Sequence, residues 1–179
     1  MTIHQIDHSR ATRPEVSRVS DFDELVVATG HQFHRAALLL TGGDHHLAED
    51  LLQTTYAKVY AAWDRVSRAD DPVAYTRTVL TRTFLSHRRL RRSSEHPSAE
   101  LPEQEHEPSD PAARLDLLTA LGQLTTADRV VVVHRYWLDR SVADTAAELG
   151  ISDTAVRTRS RRALTRLRLH LADLDIQDD

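Results

Sequence analysis

The chain has no cysteine, which excludes a disulfide framework, a thiolate metal site and a cysteine nucleophile. Five glycines and 5% aromatic residues are too few for a turn-rich sheet protein, and the abundance of Ala, Leu and Arg favours helices instead. No apolar run approaches the length a bilayer requires; Ala36–Leu40 is among the longest. Met1 to Ser20 includes Asp7, Arg10, Arg13 and Pro14 and holds no continuous apolar stretch, so it does not read as a signal peptide. A cytoplasmic protein without membrane insertion is expected. Also missing are a glycine-rich phosphate loop, a nucleophile elbow and paired catalytic carboxylates, so no catalytic residue and no cofactor is expected. His31, His34, His45 and His46 form no closed ligand set and read as surface histidines, leaving no metal site.

What the chain does have is segregated charge. Its 179 residues include 23 basic and 27 acidic side chains, for a formal net charge of -4, but the signs are not mixed. Arg77, Arg82, Arg88, Arg89, Arg91 and Arg92 form one basic run with no acid among them. Arg157, Arg159, Arg161, Arg162, Arg166 and Arg168 form a second. Between them lie Glu95, Glu100, Glu103, Glu105, Glu107 and Asp110, and the chain ends in Asp173, Asp175, Asp178 and Asp179. Two cationic patches separated by an acidic spacer suit nucleic acid better than the mean charge suggests.

The spacer also carries Pro97, Pro102 and Pro108 and almost no large apolar residue, so it cannot bury enough surface to offset its ordering entropy. It divides the chain into a disordered extension (1–20), an N-terminal unit (21–92), a flexible acidic linker (93–110), a C-terminal unit (111–172) and an acidic tail (173–179). In the first unit, Phe22, Leu25, Val26, Phe33, Ala36, Ala37 and Leu40 trace a helical stripe that Gly42 and Gly43 end. Asp44 caps a second helix expected to reach about Val66, with Ala48, Leu51, Leu52, Thr55, Val59, Ala62, Trp63 and Val66 inward. Glu49, Asp50, Gln53, Ala57, Tyr60 and Asp64 lie on its other face. Asp71 and Pro72 start a third helix that runs into the first arginine patch. Trp63, Tyr75 and Phe84 sit on apolar stripes and read as core. In the second unit, Leu115, Leu118, Leu121 and Leu124 keep helical spacing. The β-branched run Val130–Val133 is also assigned to a helix, because no second strand is available to pair with it. The fold class is all-α: an N-terminal three-to-four-helix bundle and a C-terminal helix-turn-helix bundle on an acidic, proline-rich linker.

The strongest local signal spans Val142 to Leu167. Ser141 caps a short helix, Gly150 ends it, Ile151 plugs the turn, and Ser152 caps a second helix from Asp153 to about Leu171. Ala146 supplies the small residue where the helices cross, and Val156 the β-branched plug. This is the helix-turn-helix pattern. Val156, Ala163, Leu164, Leu167 and Leu171 form the buried stripe of the second helix. Thr154, Arg157, Thr158, Arg161 and Arg162 fall on another face, flanked by Arg159 and Arg166. A rod of that length fits a major groove, where arginine pairs bidentately with guanine. On the third helix, Arg82, Ser86 and Arg89 share a face that Arg88, Arg91 and Arg92 extend. No turn motif accompanies it, so this surface suits phosphate tracking on separated or duplex strands.

With these residues in place, the string His46–Gln53 followed by Tyr56 and Trp63 resembles the polymerase-binding helix of bacterial sigma factors. Asp71 through Arg92 is similar to their minus-ten-reading and melting segment, and Leu121–Leu169 to their minus-thirty-five domain. Two such domains with only a linker between them resemble the extracytoplasmic-function (ECF) group of the sigma-70 superfamily. The resemblance implies a promoter-specificity subunit with no catalytic activity of its own. Its implied partners are core RNA polymerase, through the clamp helices of the largest subunit, and promoter DNA; it also admits an inhibitory anti-sigma factor. It places polymerase contacts at Asp50 and Gln53, on the face that also carries Glu49 and Ala57. Minus-thirty-five contacts fall at Arg157, Thr158, Arg161 and Arg162, beside Thr154. The minus-ten surface comprises Arg82, Ser86, Arg88, Arg89 and Arg92. There the chain departs from the common pattern, with Arg82 in place of an asparagine and Ser86 in place of an aspartate. The rival reading is a free-standing helix-turn-helix regulator whose N-terminal bundle senses a ligand or dimerises; it predicts DNA binding without polymerase, at a palindromic site.

Overall fold

The computed structural model describes residues 21–92 and 111–177, and every regular element among them is a helix. The N-terminal unit holds α1 (Phe22–Thr41), α2 (His45–Ala61), α3 (Trp63–Val66) and α4 (Pro72–Arg92). The C-terminal unit holds α5 (Pro111–Gln123), α6 (Thr126–Val132), a π-helical turn (Val133–Trp137), α7 (Val142–Leu149) and α8 (Asp153–Gln177). The expected extension at 1–20 and the linker at 93–110 lie outside the described residues.

Capping follows the sequence closely. Asp21, Asp44 and Asp71 accept hydrogen bonds from the main-chain N–H groups of Glu24, Leu47 and Ala74 at 2.8–2.9 Å, starting α1, α2 and α4. Gly42 ends α1 with φ of 71°, and the Gly43 N–H returns to the Leu38 carbonyl at 2.9 Å. The second expected helix is in fact two. At Ala62 the backbone leaves helical geometry (φ -109°, ψ 16°), and α3 starts afresh at Trp63. The break lets Trp63 pack edge-on against Phe22 at 5.6 Å while Val66 enters a cluster with Leu25 and Val59. Helix α8 is longer than expected and runs through Asp173 and Asp175 to Gln177, so those acids belong to the helix and not to a separate tail. The Val130–Val133 run is helical, as expected, and passes into the π turn.

Separate packing of the two units is not what the structure shows. One core cluster joins Phe33, Ala36, Ala37, Leu38, Leu40, Leu51, Leu80 and Phe84 of the first unit to Val130, Val133 and Leu138 of the second. Polar contacts and one close backbone approach accompany that shared core. Arg129 of α6, nearly buried, donates to the Leu40 carbonyl at the end of α1 at 2.9 Å, and to Gly122 and Leu124 carbonyls at 2.7 and 3.2 Å. Its burial, reinforced by the charge of Arg88, lowers its pKa to about 10. Gly42 meets Gly122 of α5 so closely that a Cβ on Gly42 would come within 2.9 Å of the Gly122 Cα. On the far side, Arg77 of α4 donates from Nε and Nη2 to the Glu148 carboxylate of α7 at 3.0–3.2 Å. Buried His134 lies between, its Nε2 2.9 Å from the Thr81 hydroxyl and its Nδ1 3.1 Å from Glu148. Arg140 also donates to Glu148, at 3.1 Å.

Burial of the Glu148 carboxyl favours its neutral form, but hydrogen bonds from His134 and Arg77 outweigh burial and hold its pKa at about 2, against an ordinary 4.5. A carboxyl depressed by folding stabilises the packed form above its ordinary pKa and ceases to do so as it protonates. Of the Glu148 partners only Arg77 crosses the joint, so the joint should loosen, by the Arg77 share alone, as Glu148 protonates with pH falling from 4.5 toward about 2. The chain lacks native cysteine, so an introduced pair of labelled cysteines, one per unit, reports the separation by fluorescence transfer. Glu148→Gln should remove the pH dependence from that window; an unchanged acid transition in the variant would refute the assignment. Arg129→Met keeps side-chain volume but strands three carbonyls, and should lower stability by about 2–4 kcal/mol in urea unfolding. A loss within a few tenths of wild type would mean water replaces the guanidinium.

Candidate nucleic-acid and polymerase interfaces

The helix-turn-helix is built as its sequence dictates. The Ser141 hydroxyl accepts from the Asp144 N–H at 3.0 Å to start α7, and Ser152 accepts from Ala155 at 3.1 Å to start α8. Gly150 takes φ of 64°, and the Ile151 N–H returns to the Ala146 carbonyl at 3.0 Å. Behind the turn, Val131, Ala146 and Val156 form a buried cluster with Val142, Leu149 and Ile151 against it. Two crossing helices joined by this turn leave one long side of α8 outward. Ala163 and Leu167 turn inward onto Ala120, Leu121, Leu124 and Val132, which fixes the roll of α8.

All five residues expected to meet the upstream element, Thr154, Arg157, Thr158, Arg161 and Arg162, are exposed and share that outer side. They are not equivalent. Arg157 makes a long i,i+4 contact of 3.7 Å to Asp153 that a phosphate or base can displace. Arg162 is gripped from behind by Asp128, a fully buried carboxylate of α6. That ion pair raises the pKa of Arg162 and keeps it charged. Arg159 is half-buried, and Arg166 reaches toward the same Asp128 at 3.8 Å. The outer side of α8 is thus a cationic surface on which Arg162 makes the shortest ionic contact and Arg157 and Arg166 only long ones.

On α4 the structure divides the arginine run into two faces. Arg82, Ser86 and Arg89 are exposed together, as expected. Arg88 belongs to the other face: it is half-buried, and its charge is felt by Arg129. Arg77, the first of the run, is also buried at the joint with Glu148 and presents no charge to a ligand in this arrangement. The Arg92 side chain lies outside the described residues. Phe84 is core, and Trp63 and Tyr75 pack beside Leu25, Val59 and Val66, so the aromatics near this surface are structural.

On α2, Glu49, Asp50, Gln53 and Ala57 are exposed in one stripe, opposite buried Ala48, Leu51, Thr55 and Val59. Asp50 lies 3.8 Å from His87 of α4, so this acidic stripe borders the basic face. Tyr60 continues the stripe by one turn, 66% exposed and held edge-on by Phe22 at 5.1 Å. Sequence reasoning placed Tyr60 on this face but missed Asp128, Glu148 and His134. A first-turn acid, a helix acid and a histidine each have ordinary solvent-facing uses, and only tertiary packing shows them buried.

Among the described residues, no three His, Asp or Glu side chains gather as a metal site, and no helix is long and apolar enough to cross a membrane. The chain matches known protein families. The sigma-70 region 2 family matches residues 25–94, and the Sigma-70, region 4 family matches residues 114–167. The chain is 35% identical over 166 residues to the RNA polymerase sigma-E factor of Streptomyces coelicolor, spanning 90% of this chain and 92% of that protein. It is 30% identical over 152 residues to the ECF RNA polymerase sigma factor SigL of Mycobacterium tuberculosis, spanning 79% and 84%. Its fold matches the sigma factor RpoE of Bartonella quintana, solved with the anti-sigma factor NepR, with a TM-score of 0.72, 25% identity and coverage of 86% of this chain and 98% of that one. A region 2 bundle joined to a region 4 helix-turn-helix, with relatives at this identity and coverage, makes the chain a member of the ECF sigma factors, the promoter-specificity subunits of RNA polymerase.

Proposed function

We propose that the chain divides promoter recognition between its two units after docking on core RNA polymerase. The exposed stripe Glu49, Asp50, Gln53 and Ala57 meets the clamp helices of the largest polymerase subunit. Helix α8 enters the major groove at the minus-thirty-five element with Thr154, Arg157, Thr158, Arg161 and Arg162. The face of α4 bearing Arg82, Ser86 and Arg89, with Arg92 beyond it and Arg88 once the units part, holds the minus-ten strand. The subunit contributes recognition and no catalytic step, and it works in the cytoplasm, where the polymerase is. The observation that carries this reading is the outer side of α8: five groove-suited residues, all exposed, on a helix whose roll is fixed by its buried stripe.

This reading calls for a change of arrangement. Elements named for positions about 25 base pairs apart lie about 85 Å apart along a duplex rising 3.4 Å per pair. Helix α8, the longest element at 25 residues, is about 38 Å long at 1.5 Å per residue. One packed body cannot reach both elements, so the units separate in the promoter complex. An inhibitory partner, such as the anti-sigma class bound to the Bartonella factor, would act by holding them together. A free-standing regulator would need no such separation, and gel shifts with and without core enzyme distinguish the two readings.

Run-off transcription with purified core enzyme over a genomic promoter library should give discrete, chain-dependent products; none would defeat the proposal. Asp50→Ala and Gln53→Ala should weaken core binding with unfolding midpoints near wild type, as both side chains are exposed. Arg161→Ala should cost about 1–3 kcal/mol at one upstream base if its contact is bidentate. Equal loss on every sequence, with a salt slope reduced by about one, would identify a phosphate contact instead.

A further inference from the structure

The grip of Asp128 on Arg162 has a role beyond holding two helices together. Asp128 lies in the first turn of α6, where its N–H donates to the capping Thr125 hydroxyl at 3.2 Å. Its carboxylate is fully buried, a place where an unpaired charge is severely disfavoured. Both of its oxygens are taken by α8. Arg162 Nε donates to Oδ2 at 3.0 Å and Nη2 to Oδ1 at 2.5 Å, with Arg166 Nη1 at 3.8 Å from Oδ2. The Arg162 side chain itself is 49% exposed and stands beside Thr158 and Arg161 on the outer side of α8.

A guanidinium has five N–H donors arranged in a planar fork. Asp128 occupies the Nε–Nη2 edge, so the edge carrying Nη1 remains for an outside ligand. Pinning one edge fixes the plane of the fork and the reach of the other edge. A long arginine otherwise loses rotamer freedom only when it binds, and that loss weakens and blurs recognition. We propose that Asp128 is a positioning residue for the upstream promoter element: without touching DNA, it presents the free edge of Arg162 to one base at a preset angle. The inference rests on the reading that Arg162 is among the DNA contacts. It makes Asp128, on a helix outside the turn motif, a determinant of sequence preference at a single position.

The test uses holoenzyme assembled from the full chain and purified core polymerase, and a promoter pool randomised across the upstream element. Retained DNA is sequenced for wild type, Asp128→Asn, Arg162→Ala, Arg162→Lys and the Asp128→Asn/Arg162→Ala double variant. Arg162→Ala should flatten one position, and Asp128→Asn should flatten the same one by about tenfold, the discrimination a good bidentate contact supplies. The double variant should do no worse than Arg162→Ala alone. Arg162→Lys keeps the charge but not the two-pronged grip, and should flatten that position too, so the outcome does not hang on how well Asp128→Asn folds. Uniform erosion of every position by Asp128→Asn would reduce Asp128 to fold support and overturn the proposal. So would full preference in Arg162→Lys. If Arg162→Ala flattens nothing while Arg157→Ala and Arg161→Ala flatten theirs, the parent reading of Arg162 has failed, and that pattern is distinct from failure of the pin.

Discussion

Two adjacent residues of α6, Asp128 and Arg129, carry opposite charges into the interior and send them in different directions. Asp128 takes hold of α8 through Arg162, and Arg129 takes hold of α5 and the end of α1 through three carbonyls. Buried charge is costly unless partners are directed at it, so each of the two demands a defined surrounding geometry. Helix α6 is only seven residues long, yet α8 and the second unit's seat on the first are both referred to it. The apolar clusters around it give most of the burial but little direction. The paired charges give the direction.

That constraint links local structure to recognition. The caps and Gly150 settle where α7 and α8 begin and end; the stripe of Val156, Ala163 and Leu167 settles which side of α8 is dry. What remains outside is a row of hydroxyls and guanidiniums at helical spacing. Specificity on such a row depends on how firmly each side chain is aimed, and the structure aims them unequally. A pinned arginine beside more loosely paired neighbours on one helix would, in the proposed complex, let one base be read strictly while others adapt to phosphate or sequence variation.

Much of this was legible in the sequence because it is local. The aspartate caps, the Gly42 and Gly150 stops, the Ala146 and Val156 positions and the outward arginines all follow from short spacings, and each stands where its spacing placed it. The break at Ala62 was not legible, since alanine favours helix and the cause is Trp63 seeking Phe22 across the bundle. Nor was the division of the first arginine run, where Arg77 and Arg82 look alike in sequence and only Glu148, 71 residues away from Arg77, sets them apart. Periodicity identifies a buried face when apolar residues mark it. A face closed by arginine, threonine and histidine against a distant carboxylate carries no such mark.

Glu148 has a further property as a joint. Two of its partners, His134 and Arg140, belong to its own unit, and only Arg77 comes from the other. If the units part as proposed, the carboxylate keeps a local entourage and is never left alone, while Arg77 passes to water beside the exposed arginines of α4. The joint is asymmetric by construction: parting would leave no orphan carboxylate on one side and would uncover a cation on the other.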